Sequence, residues 1–130
     1  MERPGKGIAL RILSGAFSVC KVEDYRGIDL SRPWCFTGAT DEELSLVCET
    51  ERVPKNVTAR EDGWRGLGVR GALDFSLIGI LAGISAVLAV ERIGIFVVST
   101  FNTDYVFVKE ENFERAVAAL EDAGYGFEED

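Results

Sequence analysis

The stretch that decides the fold is 95-IFVVSTFNTDYVFV-108, in which a polar turn joins two apolar runs. Residues 93–98 and 105–108 are rich in β-branched and aromatic side chains, which predicts two buried strands. The turn between them, 99-STFNTDY-105, offers hydroxyls, an amide and a carboxylate. A hairpin turn needs fewer polar side chains than this. We therefore interpret the hairpin as a candidate ligand site as well as the centre of the fold.

Helical patterns flank this hairpin on both sides. Residues 75–91 form a glycine-containing apolar stretch, and residues 112–123 are amphipathic, with apolar side chains at i, i+3, i+4 and i+7 before Gly124. Strands are predicted at residues 64–71 and, at an edge, at residues 125–127. The resulting order β-α-β-β-α-β is typical of the ferredoxin-like arrangement.

The first half of the chain has strands in a compatible order but only weak helical signals. Residues 8–22 are extended, and two further strands are predicted at 34–37 and 44–48, whereas the polar stretch 53–63 is the best candidate for a linker. We therefore predict an α+β chain of two tandem ferredoxin-like modules, with antiparallel sheets and helices on one face. The boundaries are 1–62 for a degenerate N-terminal module and 63–130 for a complete C-terminal one.

Composition excludes several classes of function. The formal net charge of −8 disfavours nucleic-acid binding, and the absence of histidine and of a CxxC pair among three cysteines disfavours a zinc site or a Cys–His nucleophile. The uncharged run 75–90 is shorter than the ~20 residues of a membrane helix. We expect no metal, no cofactor, no catalytic residue and no membrane or nucleic-acid partner, in a reducing, cytoplasmic setting.

Residues 75–81 and 95–108 resemble an ACT domain, most closely the variety in aspartate-kinase regulatory regions and small stand-alone bacterial ACT proteins. Residues 40–48, Pro54 and Gly63-Trp64 extend the resemblance over most of the chain. It implies a regulatory, allosteric protein that binds small effectors, usually free amino acids, between adjacent modules. A homodimer and an unidentified regulated protein are compatible partners.

The residue types suit an amino-acid ligand. The helix start at Phe75, Ser76, Leu77, Ile78 and Gly79 would offer unpaired N–H groups to a carboxylate. Asp104 would pair with the ammonium, and the remaining polar side chains of the turn would fix orientation: Ser99, Thr100, Asn102 and Thr103. The corresponding turn of the first half would close the other side of the site through Thr40, Glu43 and Ser45.

Each candidate also has a structural explanation. Asn102 and Asp104 could cap the hairpin, and residues 40–43 could be a solvated turn. Ser76 or Asp74 could be a simple N-cap, and Gly79 could serve helix packing. Arg60, Arg65 and Arg70 could clasp an anion, or they could be scattered surface arginines. The alternative functions are a ligand-free structural or dimerisation module and, third, an enzyme.

Overall fold

The computed structural model describes residues 3–70 and 79–129. These residues form eight β-strands and two α-helices, a mixed α/β fold. The strands are β1 (Ala9–Ile12), β2 (Phe17–Val22), β3 (Cys35–Ala39), β4 (Leu44–Glu49), β5 (Val57–Val69), β6 (Ile95–Ser99), β7 (Asp104–Lys109) and β8 (Gly126–Glu129). The helices are α1 (Ile80–Val90) and α2 (Phe113–Asp122), and 3-10 turns lie at Thr50–Arg52 and Glu110–Asn112.

The chain divides into two compact units. Gly15–Trp64 forms one, and Met1–Ser14 together with Arg65–Asp130 forms the other. Strand β5 runs through the boundary, with its first residues in the former and its last residues in the latter. The predicted division into 1–62 and 63–130 differs from this in one respect, because the beginning of the chain belongs to the same unit as its end.

In the Gly15–Trp64 unit the strand order is β3-β4-β2-β5, and neighbouring strands are antiparallel. A small core cluster of this unit contains Cys20, Val22, Leu46 and Cys48, which are buried on β2 and β4. The described connections between strands in this unit contain turns and one 3-10 turn instead of α-helices.

In the other unit the strand order is β6-β7-β5-β1-β8. Strand β1 is antiparallel to β5, with Ile12 opposite Leu67, and parallel to β8, with Leu10 opposite Phe127. The expectation of purely antiparallel sheets is therefore wrong at this pair. The physical reason is that β1 is inserted between β5 and β8, which a ferredoxin-like module would pair directly.

Both helices pack into one core with the strands of this unit. Ile84 and Leu88 of α1 and Ala116 and Leu120 of α2 are buried in the same cluster as residues of β1, β5 and β7, which is consistent with helices on one face. The periodic spacing that predicted α2 is confirmed, since Ala116 and Leu120 are the fully buried positions of that helix. Gly124, with φ +102, follows its end.

The predicted linker at 53–63 is wrong, because β5 begins at Val57 and pairs with β2 through this stretch. Most side chains of its first half are exposed, so no buried apolar face marks it as a strand. A buried polar contact helps to fix it: Ser18 Oγ donates to Asp62 Oδ1 at 2.6 Å and lies 2.9 Å from Thr50 Oγ1.

Candidate functional site

The polar turn between β6 and β7 is closed by its own side chains. Thr100 donates to the Thr103 carbonyl oxygen through its backbone N–H at 2.8 Å and its Oγ1 at 3.0 Å. Ser99 Oγ donates to Asp104 Oδ1 at 2.6 Å across the last register pair of the two strands. Three of the five predicted side chains, Ser99, Thr100 and Asp104, thus form hydrogen bonds within the turn itself, in addition to any contact with a ligand.

Thr103 attaches the turn to the neighbouring strand. Its side chain is buried, 8% exposed, and Oγ1 donates to the carbonyl oxygen of Val69 in β5 at 2.9 Å. This bond brings the turn beside the end of β5 and beside β1, which pairs with β5. Thr103 is therefore a residue that positions the turn.

A recess of about 210 Å³ lies at this junction. It is lined by Arg11, Gly68, Val69, Arg70, Asn102, Thr103 and Tyr105. Two of these residues, Asn102 and Thr103, belong to the site predicted from the sequence. Asn102 is exposed, and its side chain makes no hydrogen bond with the described part of the chain, so its amide is available to a ligand. We call this recess the hairpin recess.

The hairpin recess is locally cationic in a chain whose formal net charge is −8. Arg11 and Arg70 both line it. Arg70 Nε lies 3.0 Å from Glu128 Oε1, but both side chains are about half exposed, 55% and 49%, so solvent screens this pair. Guanidinium groups bind carboxylates through paired N–H donors, and the recess can thus accept a small carboxylate.

A glycine shapes the floor of the hairpin recess. A Cβ atom at Gly68 would lie 2.8 Å from Cε1 and 3.0 Å from Cδ1 of Tyr105, closer than atoms in contact can approach. The absence of a side chain at Gly68 therefore lets the Tyr105 ring lie against β5. The two residues form one wall of the recess, in which the Tyr105 ring covers the backbone of Gly68.

The predicted residues of the first half lie in the Gly15–Trp64 unit. Thr40 closes the β3–β4 turn, since its Oγ1 accepts the N–H groups of Glu42 and Glu43, each at 3.2 Å. Glu43 is exposed, and Ser45 is half-buried in β4 with its carbonyl oxygen bound by Tyr25 Oη at 2.8 Å. This geometry supports the solvated-turn explanation for Thr40 and Glu43.

The predicted helix start falls partly outside the described residues. Phe75, Ser76, Leu77 and Ile78 lie in the range 71–78, as does the alternative N-cap Asp74. Gly79 is described, and it adopts a left-handed conformation with φ +85 immediately before α1. A Cβ at this position would meet no atom of the described residues within 4 Å, and the positive φ is the reason these residues give for a glycine there.

The arginines considered as an anion clasp separate into different environments. Arg60 pairs with Asp62 at 3.0 Å, and Arg65 pairs with Glu110 at 3.2 Å while its guanidinium lies 4.1 Å from the centre of the Phe113 ring. Of the three, Arg70 lines the hairpin recess. Arg11 on β1 also lines this recess, and no local pattern in the sequence connects residue 11 with residue 70.

The described residues contain no group of three or more metal-ligating side chains. Their three cysteines are reduced, and burial raises the pKa of Cys20, Cys35 and Cys48, the last to about 12. Thiols that hold their protons in this way are poor nucleophiles. Neither α1 nor α2 has the length and apolarity that crossing a membrane would require.

Residues 59–122 match the ACT domain family. The chain matches no curated protein, but it is similar to solved structures. A protein from Agobacterium tumefaciens is 30% identical with a TM-score of 0.82, over 95% of this chain and 93% of that one. A Vibrio cholerae protein of unknown function, described as a possible transport protein, is 24% identical with a TM-score of 0.66, over 89% of each chain.

A third solved structure with the same fold is a regulatory subunit. The ligand-free regulatory subunit of aspartate kinase from Thermus thermophilus is 14% identical, with a TM-score of 0.59 over 92% of this chain and 98% of that one. At this identity the likeness shows the fold alone. The resemblance found in the sequence is confirmed by the family match, and residues 59–122 of this chain belong to the ACT domain family.

Proposed function

We propose that this chain is a non-catalytic regulatory protein whose ACT domain binds a small carboxylate effector, in the first place a free amino acid. One observation carries the proposal: two arginines and the polar turn of the β6–β7 hairpin line the same recess. The family match supports a regulatory role, because ACT domains are typically non-catalytic sensing modules.

The described groups suggest a role for each part of the ligand. Arg11 and Arg70 would receive the carboxylate. Asp104 is not among the residues that line the recess, and it would receive the ammonium of a ligand that extends across the turn. Asn102 would fix orientation through its amide. Ser99 and Thr100 would act by holding the turn in shape, as their hydrogen bonds indicate.

The rest of the predicted site remains part of the proposal. Phe75–Gly79 would offer the carboxylate a second set of donors. In the Gly15–Trp64 unit, Thr40, Glu43 and Ser45 would belong to the corresponding turn of a second, degenerate module. The strand order β3-β4-β2-β5 supports that interpretation, since it is the order of a ferredoxin-like sheet without its helices. A homodimer and a separate regulated chain also remain proposals.

The expected affinity suits a metabolite sensor. An amino acid has about ten non-hydrogen atoms, and small ligands gain somewhat under about 1 kcal/mol per atom. Dissociation constants would then be roughly micromolar to millimolar. Binding in this range would shift the chain between conformations as the metabolite pool changes, which is how a regulatory domain acts on a partner.

The test is a thermal-shift screen of the full chain against the twenty amino acids, followed by calorimetric titration of any ligand that stabilises it. Arg70→Gln should weaken binding by about 10- to 100-fold, because it removes a charge-assisted hydrogen bond. Arg60→Gln is the matched control, since Arg60 is exposed and paired with Asp62 but lies outside the recess, and it should bind normally.

Two results would contradict the proposal. If none of the twenty amino acids stabilises the chain, the effector is not a free amino acid, and the structural or dimerisation alternative gains support. If an amino acid binds equally well to the parent and to Arg70→Gln, the hairpin recess is not its site.

A further inference from the structure

The Gly15–Trp64 unit contains a cavity of about 290 Å³ that neither the family match nor the proposed effector explains. It lies between the connection from β2 to β3, strand β4, and the residues just after β4. Because a water molecule occupies about 30 Å³, the cavity has room for about ten waters, or for one small molecule. It is close to the lower limit of the roughly 300–1,000 Å³ typical of ligand sites.

The cavity exists because no helix covers this side of the strands in the described structure. Leu46 and Cys48 of β4 belong to the small core of the unit and line the cavity. The connection above them, residues 23–34, is held in turns by its own side chains: Asp24 accepts from Arg26, and Asp29 accepts from Ser31. A connection of this kind bounds a space that a packed helix would fill.

The connection is also anchored to the rest of the unit. Tyr25 Oη donates to the Ser45 carbonyl oxygen at 2.8 Å, and Asn56 Nδ2 donates to the Asp24 carbonyl oxygen at 3.1 Å. These two bonds attach the start of the connection to β4 and to the segment before β5. The wall of the cavity is therefore formed by fixed elements of the unit, which is typical of a preformed ligand site.

Trp34 lies in the cavity wall with a backbone conformation that is unfavourable for a bulky residue. Its φ is +66, one of two positive values among the described residues other than glycine. A large side chain in this region is an outlier, and such strain concentrates at ligand sites. The conformation places an aromatic residue in the wall, 6.5 Å from Phe36 between ring centres.

Two guanidinium groups, Arg32 and Arg52, can receive an anionic ligand at the cavity, which is also lined by the carboxylates of Asp29 and Glu49. Arg32 is exposed and makes no ion pair or side-chain hydrogen bond with the described residues, while Arg52 is held only loosely by Glu49, at 3.7 Å. The carboxylate of Asp29, in contrast, already accepts the N–H and hydroxyl of Ser31. Asp29 interacts electrostatically with Arg32, but the side-chain N–H donors of Arg32 have no acceptor among the described residues.

We propose that this cavity is a second ligand site, specific for a small carboxylate with an apolar body. The carboxylate binds Arg32 and Arg52. The apolar body lies against Ile28, Trp34 and Leu46. The site is independent of the hairpin recess, because it lies in the other unit and presents its own pair of guanidinium groups to the carboxylate.

The test is an NMR titration of the ¹⁵N-labelled full chain with 3-phenylpropionate, compared with its uncharged amide. We expect saturable shifts at the Trp34 indole and at Ile28, with a dissociation constant between micromolar and millimolar. The amide should bind at least tenfold more weakly. Arg32→Gln, a surface change that leaves the core intact, should weaken the carboxylate at least tenfold and remove its preference over the amide.

Two control variants distinguish binding at this cavity from binding elsewhere on the chain. Arg26→Gln changes an exposed arginine of the same connection that lies outside the cavity, and it should leave binding unchanged. Asn102→Ala alters the hairpin recess and should also have no effect. The proposal is overturned if Trp34 shows no saturable shift, if carboxylate and amide bind equally, or if the shifts occur at Asn102 and Arg70 instead.

Discussion

Ser99 and Asp104 face each other at the last register pair of β6 and β7, and Ser99 Oγ donates a 2.6 Å hydrogen bond to Asp104 Oδ1. The bond fixes the carboxylate beside the polar turn and occupies one of its two oxygens. The same side chain can therefore stabilise the hairpin and present a negative charge to a ligand. Asp104 can therefore cap the hairpin and bind a ligand at the same time. Binding an ammonium group requires the negative charge, whereas the hydrogen bond from Ser99 requires only an acceptor oxygen.

Asp104→Asn tests that distinction, because it keeps the shape of the side chain and its acceptor oxygen but removes the charge. The free energy of unfolding without ligand should stay within about 0.5 kcal/mol of the parent value. Amino-acid binding should weaken about tenfold or more, since the charge-assisted contact to the ammonium is lost. Denaturant titration and calorimetry measure the two effects, and equal affinities would remove Asp104 from the ligand site.

Gly68→Ala should disturb the hairpin recess through Tyr105. The added Cβ would lie 2.8 Å from the Tyr105 ring, so the ring must move or the strands must separate. We expect a loss of about 1–3 kcal/mol in the free energy of unfolding and weaker effector binding.

Gly38→Ala is the matched control for this substitution. Gly38 is also a strand residue, but a Cβ there meets nothing within 4 Å. Its variant should match the parent in both stability and binding. If Gly68→Ala behaves in the same way as Gly38→Ala, the Tyr105 ring can move at no cost and does not define the recess.

The second half of the chain was predictable because its pattern is local. The apolar runs of β6 and β7 and the helical spacing of Ala116 and Leu120 are visible within a few residues. The turn was also identified as a polar cluster, and three of its residues, Asn102, Thr103 and Tyr105, line the recess. The sequence does not show that Thr103 would be buried by a bond to Val69, 34 positions earlier.

Features that depend on distant pairing could not be predicted. Strand β5 was missed over Val57 to Gly63 because its side chains there are mostly exposed, and only backbone pairing with β2 marks it as a strand. The insertion of β1 between β5 and β8 joins residues more than 110 positions apart, as Leu10 and Phe127 show. Arg11 therefore entered the candidate site only with the structure.

Thr103→Val should destabilise the protein by about 1–3 kcal/mol, because it removes a buried hydrogen bond to the Val69 carbonyl oxygen without changing side-chain shape. Thr58→Val is the control, since Thr58 Oγ1 donates a longer, exposed bond of 3.3 Å to the Lys21 carbonyl oxygen. That variant should change stability by about 0.5 kcal/mol or less. If urea denaturation gives equal losses in the free energy of unfolding for the two variants, the Thr103 hydrogen bond stabilises the protein no more than the exposed Thr58 bond does.

The buried thiol of Cys48 should make the protein less stable at alkaline pH. Burial raises the pKa of Cys48 from its ordinary 9.0 to about 12, so the folded chain keeps a proton that the unfolded chain releases. The contribution of the protonated Cys48 thiol to the free energy of unfolding is fully present below pH 9 and decreases as pH rises toward 12. Between pH 8 and 10 the expected loss is about 1.4 kcal/mol.

Cys48→Ala isolates this contribution, because lysines, tyrosines and the other two cysteines remain in both proteins. The variant will itself be less stable, so the quantity to compare is the change between pH 8 and pH 10 and not the absolute value. The pH-dependent loss should be smaller in Cys48→Ala by about 1.4 kcal/mol. Identical pH dependence in the two proteins would mean that Cys48 ionises in the folded state as easily as in the unfolded one.

The pairing of β1 predicts which part of the chain can fold alone. Ile12 lies opposite Leu67, and the Leu13 N–H donates to the Gly66 carbonyl oxygen at 3.0 Å, so Ser14 and Arg65 lie at adjacent ends of an antiparallel pair. Replacing residues 15–64 with an Asn-Gly turn should join these strands as a hairpin. The shortened chain should unfold cooperatively on heating, as followed by circular dichroism.

The control is the fragment 63–130, which contains nearly all of the matched ACT region but lacks β1. It should not fold, because β1 contributes the buried Leu10 to the core and supplies the pairing partner of β8. Adding β1 back through the Asn-Gly turn should therefore restore folding, although β1 comes from the opposite end of the sequence. A cooperative thermal transition in the fragment 63–130 alone would show instead that β8 can pair directly with β5, as in a ferredoxin-like module without an inserted strand.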